Sequence, residues 1–168
     1  MNSISTKELL KILPHRYPFL MIDRVVDYDD ENLEAIKNFT VNEPYVQGHF
    51  PQFHIMPGVM MMESMAQACT VLAYKRAAKE IDISKLLEDA GDESGILFVN
   101  ADEVRFRKII LPGDQLHVHA KLTRYARNMA DFETCIKVDG KVAASSKLKA
   151  IFTIQNRTAM EKIKKEYL

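Results

Sequence analysis

The chain has 168 residues, which suits one domain spanning 1–168 with a core that a single chain or a close dimer can bury. Apolar residues make up 47% and charged residues 27%, the composition of an ordinary soluble globular protein, and 23 basic side chains balance 23 acidic ones. That balance lacks the basic excess of a nucleic-acid binder, and no window of about 18 apolar residues is free of charge, so neither nucleic acid nor membrane insertion is expected.

Ser5-Thr6-Lys7-Glu8 ahead of LLKIL predicts a short capped helix that Pro14 stops. The N-terminal stretch has no long apolar segment and no small-residue cleavage site, so no signal peptide is expected. Phe19 to Val26 predicts a strand, Asp29–Asn32 a turn, and Leu33 to Val41 a second strand. Residues 42–58 hold three prolines, two glycines and two histidines, a composition that marks a structured loop. Pro57-Gly58 then opens an unbroken helix whose apolar residues cover nearly every face of its first four turns, predicting burial all round. Residues 80–94, with six acids and one lysine, predict a solvated insertion. Four strands follow, over 95–107, 115–126, 129–138 and 141–154. Pro112-Gly113-Asp114 turns between the first two, and Asp139-Gly140 is a hairpin signal between the last two. Residues 156–168 form a charged extension. The fold class is α+β: a curved antiparallel sheet wrapped around one long helix, with short connections favouring meander pairings.

Glu63 is the only charge between Pro57 and Ala73. Burying an unpaired carboxylate costs several kcal/mol or more, so Glu63 either performs chemistry or meets a basic group or dimer partner. Gln67, one turn on, shares its face and either orients that carboxyl or satisfies a backbone group. His49 lies in Gly48-His49-Phe50-Pro51, where Gly48 permits unusual backbone angles and Pro51 restricts Phe50 to an extended conformation. Imidazole suits proton abstraction near neutral pH, although a loop histidine is as readily a surface residue. The first-turn N–H groups at Gly58 make either an oxyanion site or simply a helix start. His117 and His119 share one strand face, but no further ligand at suitable spacing completes a metal site, and His15 reads as structural. Cys69 and Cys135 have no CxxC neighbour, so two reduced thiols in the cytoplasm are expected.

LPHRYPFLMIDRV, NEPYVQGHFP, IMPGVMMMESMAQA and FRKIILPGDQL occur in this order from about Glu8 to Ile154. Together they resemble the FabZ-type beta-hydroxyacyl-acyl carrier protein dehydratases of bacterial fatty acid synthesis. The resemblance implies the hotdog fold, dimers with a shared active site that commonly assemble into hexamers, and an acidic acyl carrier protein as substrate carrier. It implies no metal or redox cofactor. His49 falls on the family's base and Glu63 on its acid. Gly58 falls on the residue whose N–H binds the thioester carbonyl, and Gln67 on the glutamine that supports the acid. Glu63, rather than Asp, favours dehydration without isomerisation. The family usually has Pro where this chain has His54. Leu97 and Phe98 stand where a gating tyrosine is common, and the 80–94 and C-terminal segments are longer than usual. Arg105, Arg107 and Lys108 are candidates for carrier docking, with Arg105 and Arg107 on one strand face. Two rival readings are a hotdog acyl thioesterase and a catalytically weak acyl-binding paralogue.

Overall fold

The computed structural model describes residues 2–79, 96–126 and 129–152. The 80–94 insertion and the 156–168 extension lie outside the described residues. In chain order the elements are α1 (Thr6–Ile12), β1 (Arg24–Tyr28), β2 (Asn32–Asn38), a single 3-10 turn (Val46–Gly48), α2 (Gly58–Ala77), β3 (Ile96–Phe106), β4 (Gln115–Ala126), β5 (Met129–Val138) and β6 (Lys141–Phe152). The six strands form one antiparallel sheet in the order β1-β2-β4-β5-β6-β3, and α2 lies across β2, β4 and β5.

Period-two patterning builds the face that receives the helix. Leu116, Val118, Ala120 and Leu122 of β4 point inward, as do Ala130, Phe132, Ile136 and Val138 of β5. They meet Met65, Ala68, Cys69, Val71 and Leu72 of α2 in one buried cluster. The Asp139–Gly140 turn has positive φ at both residues, 51° and 72°, as a tight hairpin between β5 and β6 requires. At α1, Glu8 Oε2 accepts from Ser5 N at 2.8 Å and Ser5 Oγ at 2.7 Å, closing the expected cap.

Three expectations change. First, the strand predicted from Phe19 begins only at Arg24. The backbone of Phe19 and Met21 is satisfied by the Gln67 side chain instead of by a neighbouring strand. Second, β2 ends at Asn38 rather than Val41, because Phe39 exchanges backbone bonds with the 113–114 turn. Third, β3 and β4 are not meander partners. β3 crosses to pair with β6 at the far edge of the sheet, and residues 107–114 carry the chain back over the start of α2, where Met56 N donates to Ile110 O at 3.0 Å.

The loop before α2 is anchored from below. The Lys37 ammonium, on a side chain 9% exposed, sits 2.7 Å from Glu43 and 3.4 Å from Asp23, bridging β2, the loop and the segment before β1. A buried cation so paired is costly to leave half-matched, which holds the loop to the sheet. Beside it, burial and then the Glu43 and Asp23 carboxylates push the Tyr45 phenol well up, so it stays protonated.

Candidate active site

The 3-10 turn at Val46–Gly48 delivers His49 to the foot of α2. Gly48 adopts no left-handed angle and has open space around it, so its expected role as a backbone exception is not the one it plays; it closes the turn. His49 is half-buried, and its Nδ1 lies 3.2 Å from Ile55 O. That contact directs Nε2 away from the loop. His49 and Gly58 line the same open pocket, about 280 Å³, together with Ile55, Met56, Met61, Phe106, Arg107, Lys108 and Ile109. Pro57 is the N-cap of α2, and the Gly58 N–H belongs to the first turn, which has no intrahelical acceptor. An imidazole and a free helix N-terminus therefore face one space, walled by apolar side chains and by Arg107 and Lys108.

Glu63 does not line that pocket. Its side chain is 22% exposed, so it is not the fully buried acid the sequence suggests. Val59 is 69% exposed, and Met60, Met62 and Ala66 are half-buried alongside it. No element among the described residues covers this face of α2, which corrects the expectation of a helix buried all round. Glu63 Oε1 accepts from Gln67 Nε2 at 2.7 Å. Gln67 is 1% exposed and is fixed in turn: its Oε1 accepts from Met21 N at 2.8 Å, and its Nε2 also donates to Phe19 O at 2.7 Å. Of the two readings of Gln67, both hold at once, since it orients the carboxyl and satisfies backbone.

The other side chains around the site find their places. Met61 lines the pocket, whereas Met65 is fully buried core, with Thr134 Oγ1 donating to its sulfur at 3.2 Å. Arg105 and Arg107 do not share a strand face, because β3 ends at Phe106. Arg107 leaves the strand, its N donating to Ala143 O and its Nη1 to Ser145 Oγ, and with Lys108 it forms the basic side of the pocket. His54 ties back to Phe50 O at 3.0 Å. His117 and His119 point off the outer face of the sheet. His117 Nδ1 lies 2.8 Å from Glu34 Oε1, and burial above all depresses the His119 pKa. Among the described residues no group of three or more His, Cys, Asp or Glu is placed to hold a metal ion. Cys69 is buried and Cys135 half-buried, and burial pushes both thiols up.

Sequence reasoning missed two residues. Phe106 packs over Gly58, and His15, read as structural, places Nε2 3.4 Å from Glu63 Oε1. Neither contact carries a local sequence signal, since each joins segments more than 40 positions apart.

A family model described as the FabA-like domain matches residues 13–147. The 3-hydroxyacyl-[acyl-carrier-protein] dehydratase FabZ of Shewanella woodyi is 44% identical over 149 residues, covering 88% of this chain and 91% of that protein. Its counterpart in Shewanella sediminis is also 44% identical, covering 88% and 92%. The chain belongs to the FabA-like family. Among solved structures, a dehydratase heterocomplex from Xenorhabdus doucetiae superposes with a TM-score of 0.71 at 19% identity, covering 92% of this chain and 95% of that one. A mutant thioesterase from Pseudomonas aeruginosa gives 0.61 at 13% identity, covering 88% and 93%. These two share the fold alone. A shared fold does not fix the chemistry, and the side chains of the site decide it.

In this FabA-like chain a side chain at the helix start requires the Phe106 ring or the first turn to move. A Cβ on Gly58 would meet the Phe106 ring at 2.9 Å, closer than real contacts allow. Gly58→Ala should therefore displace the ring or the first turn, and if the Gly58 N–H serves as the oxyanion donor it should lower kcat/KM by about 10-fold or more. Phe106→Leu in the same chain should recover part of the loss in a double-mutant kinetic comparison.

Proposed function

We propose that this chain dehydrates (3R)-hydroxyacyl-acyl carrier protein to trans-2-enoyl-acyl carrier protein in type II fatty acid synthesis, with His49 as base and Glu63 as acid. The observation that carries this reading is the pocket that His49 shares with the N-terminus of α2. The thioester carbonyl accepts from the Gly58 N–H, and the helix N-terminus stabilises the enolate character that develops there. His49 takes the proton from C2. The C3–O bond breaks, Glu63 supplies a proton to the departing hydroxyl, and water leaves. The balance is redox-neutral. The FabZ proteins named above act, by name, on 3-hydroxyacyl-carrier protein, and their likeness over most of both chains supports the same activity here.

The working unit is a homodimer, with the hexamer as its next level, and Glu63 comes to each site from the partner chain. Two features favour this. Glu63 lies on the uncovered face of α2, outside the pocket of its own chain. β3 is an 11-residue edge strand that leaves Leu97 at 37% and Val99 at 54% exposure, an edge suited to pairing. Acidic carrier protein docks beside Arg107 and Lys108. Free Cys69 and Cys135 thiols suit a reducing cytoplasm. Among the described residues no helix is long and apolar enough to cross a membrane.

The test is mass spectrometry of 3-hydroxybutyryl-carrier protein after incubation with the purified enzyme. The result expected is loss of one water with the thioester intact. Release of the free acid would contradict the reading and favour the thioesterase; an unchanged substrate would favour the acyl-binding paralogue.

A further inference from the structure

Two side-chain nitrogens approach one oxygen of Glu63, Gln67 through a hydrogen bond and His15 through a longer polar contact. Oε1 lies 2.7 Å from Gln67 Nε2 and 3.4 Å from His15 Nε2. Among the described residues, no hydrogen bond reaches Oε2. The approach of His15 is held by its surroundings. Arg16 Nη1 donates to the carbonyls of Leu13 and His15, both at 2.8 Å, and its Nη2 donates to Leu10 O at 3.0 Å, clamping the turn that follows α1. The His15 ring also rests against Phe19, with centroids 5.9 Å apart. Phe19 is itself tied to Gln67 through its carbonyl. Thus both donors to Glu63 are braced by the same segment, residues 15–21.

The other ring nitrogen bears on which tautomer faces Glu63. Nδ1 of His15 is buried and has no hydrogen-bond partner among the described residues. A proton there would be a buried N–H without an acceptor, whereas a proton on Nε2 faces the Glu63 carboxyl. The Nε2–H tautomer is the one the positioning role requires.

We infer that His15 is a positioning residue for Glu63: with Gln67 it occupies Oε1 and so assigns the transferred proton to Oε2. This builds on Glu63 being the acid, as proposed above. In the protonated acid, Oε1 is the carbonyl-like oxygen, still accepting from Gln67 Nε2 with His15 Nε2 beside it, while Oε2–H points outward. After transfer, the same two donors stabilise the carboxylate without any rotation. Fixing the carboxyl across both states keeps the proton in line with the leaving hydroxyl and lowers the reorganisation the step requires.

The experiment is steady-state dehydration of 3-hydroxybutyryl-carrier protein by the full-length enzyme and its variants. His15→Ala should lower kcat on the order of 10-fold while KM changes by less than about 2-fold, the split expected for a group that acts on the reacting step rather than on binding. His15→Gln, which returns an amide donor near the Nε2 position, should recover much of that loss. In the Glu63→Gln background, His15→Ala should cause no further fall, because a residue acting through the carboxyl has nothing left to position. A wild-type kcat in His15→Ala overturns the assignment, as does an equal fall with and without the Glu63 carboxyl. Should the alanine variant fail to fold, the nitrogen NMR spectrum of wild-type His15 decides: the Nε2–H tautomer is required, and Nδ1–H overturns the assignment. An inactive Glu63→Gln beside an unaffected His15→Ala sinks only the role of His15. A fully active Glu63→Gln sinks the reading of Glu63 itself.

Discussion

Glu63→Gln and His49→Ala each lower dehydration by about 10²–10⁴-fold, the range a positioned acid or base contributes, while the enzyme stays folded. Glu63→Gln is the cleaner of the two. The new amide keeps an oxygen for Gln67 Nε2 to donate to at the Oε1 position, 2.7 Å away in the wild type, but has no acidic proton to give. The helix should hold its place and only the chemistry should stop. His49→Ala removes the base and one contact to Ile55 O, on a half-buried loop that remains anchored through Glu43 and Lys37. Rates in the reverse direction, hydration of crotonyl thioester, check both variants alongside their melting curves. Wild-type-like turnover in either one removes that residue from the mechanism.

Gln67→Leu is expected to damage both stability and rate. The side chain is 1% exposed and makes three hydrogen bonds: from Met21 N, to Phe19 O and to Glu63 Oε1. Leucine matches the volume but offers no partner, which leaves the Met21 N–H and the Phe19 carbonyl unpaired. At about 1–3 kcal/mol for each of the two orphaned groups, the loss comes to roughly 2–6 kcal/mol. For a chain of this length that is a fall in Tm of roughly 4–24 °C. Glu63 also loses its orienting amide, so kcat should fall by about 10-fold or more even at temperatures where the variant is folded. A thermal melt and a rate measured well below the transition separate the two effects. An unchanged Tm would mean that residues 19–21 do not depend on this amide for their backbone bonds.

These two results bear on what a sequence can reveal. The long helix was legible because its breaker, Pro57-Gly58, and its apolar run are local, and β4 to β6 because alternation and the Asp139–Gly140 turn are local. Glu63 stood out for the same reason, as one charge in an apolar stretch. The start of β1 was not legible, because the Gln67 amide competes for the backbone of Phe19 and Met21 from 46 to 48 positions away. The crossing of β3 to β6 depends on a route over α2 that no short-range pattern records. His49 carried little weight by itself and gained it from the motif around it. Phe106 over Gly58, and His15 beside Glu63, are consequences of packing alone. The exposed face of α2 reads in sequence as buried, because exposed and covered apolar side chains look the same there.

The central claim is that each site takes His49 from one chain and Glu63 from the other. Co-expression of His49→Ala with Glu63→Gln tests it most directly. Each variant alone is inactive. In a mixed pair, the intact His49 of one chain meets the intact Glu63 of the other, giving one good site in two. With random pairing, about half of the dimers are mixed, so activity returns to about a quarter of the wild-type level. Mixed dimers purified with two different tags and found as inactive as their parents would contradict the shared site.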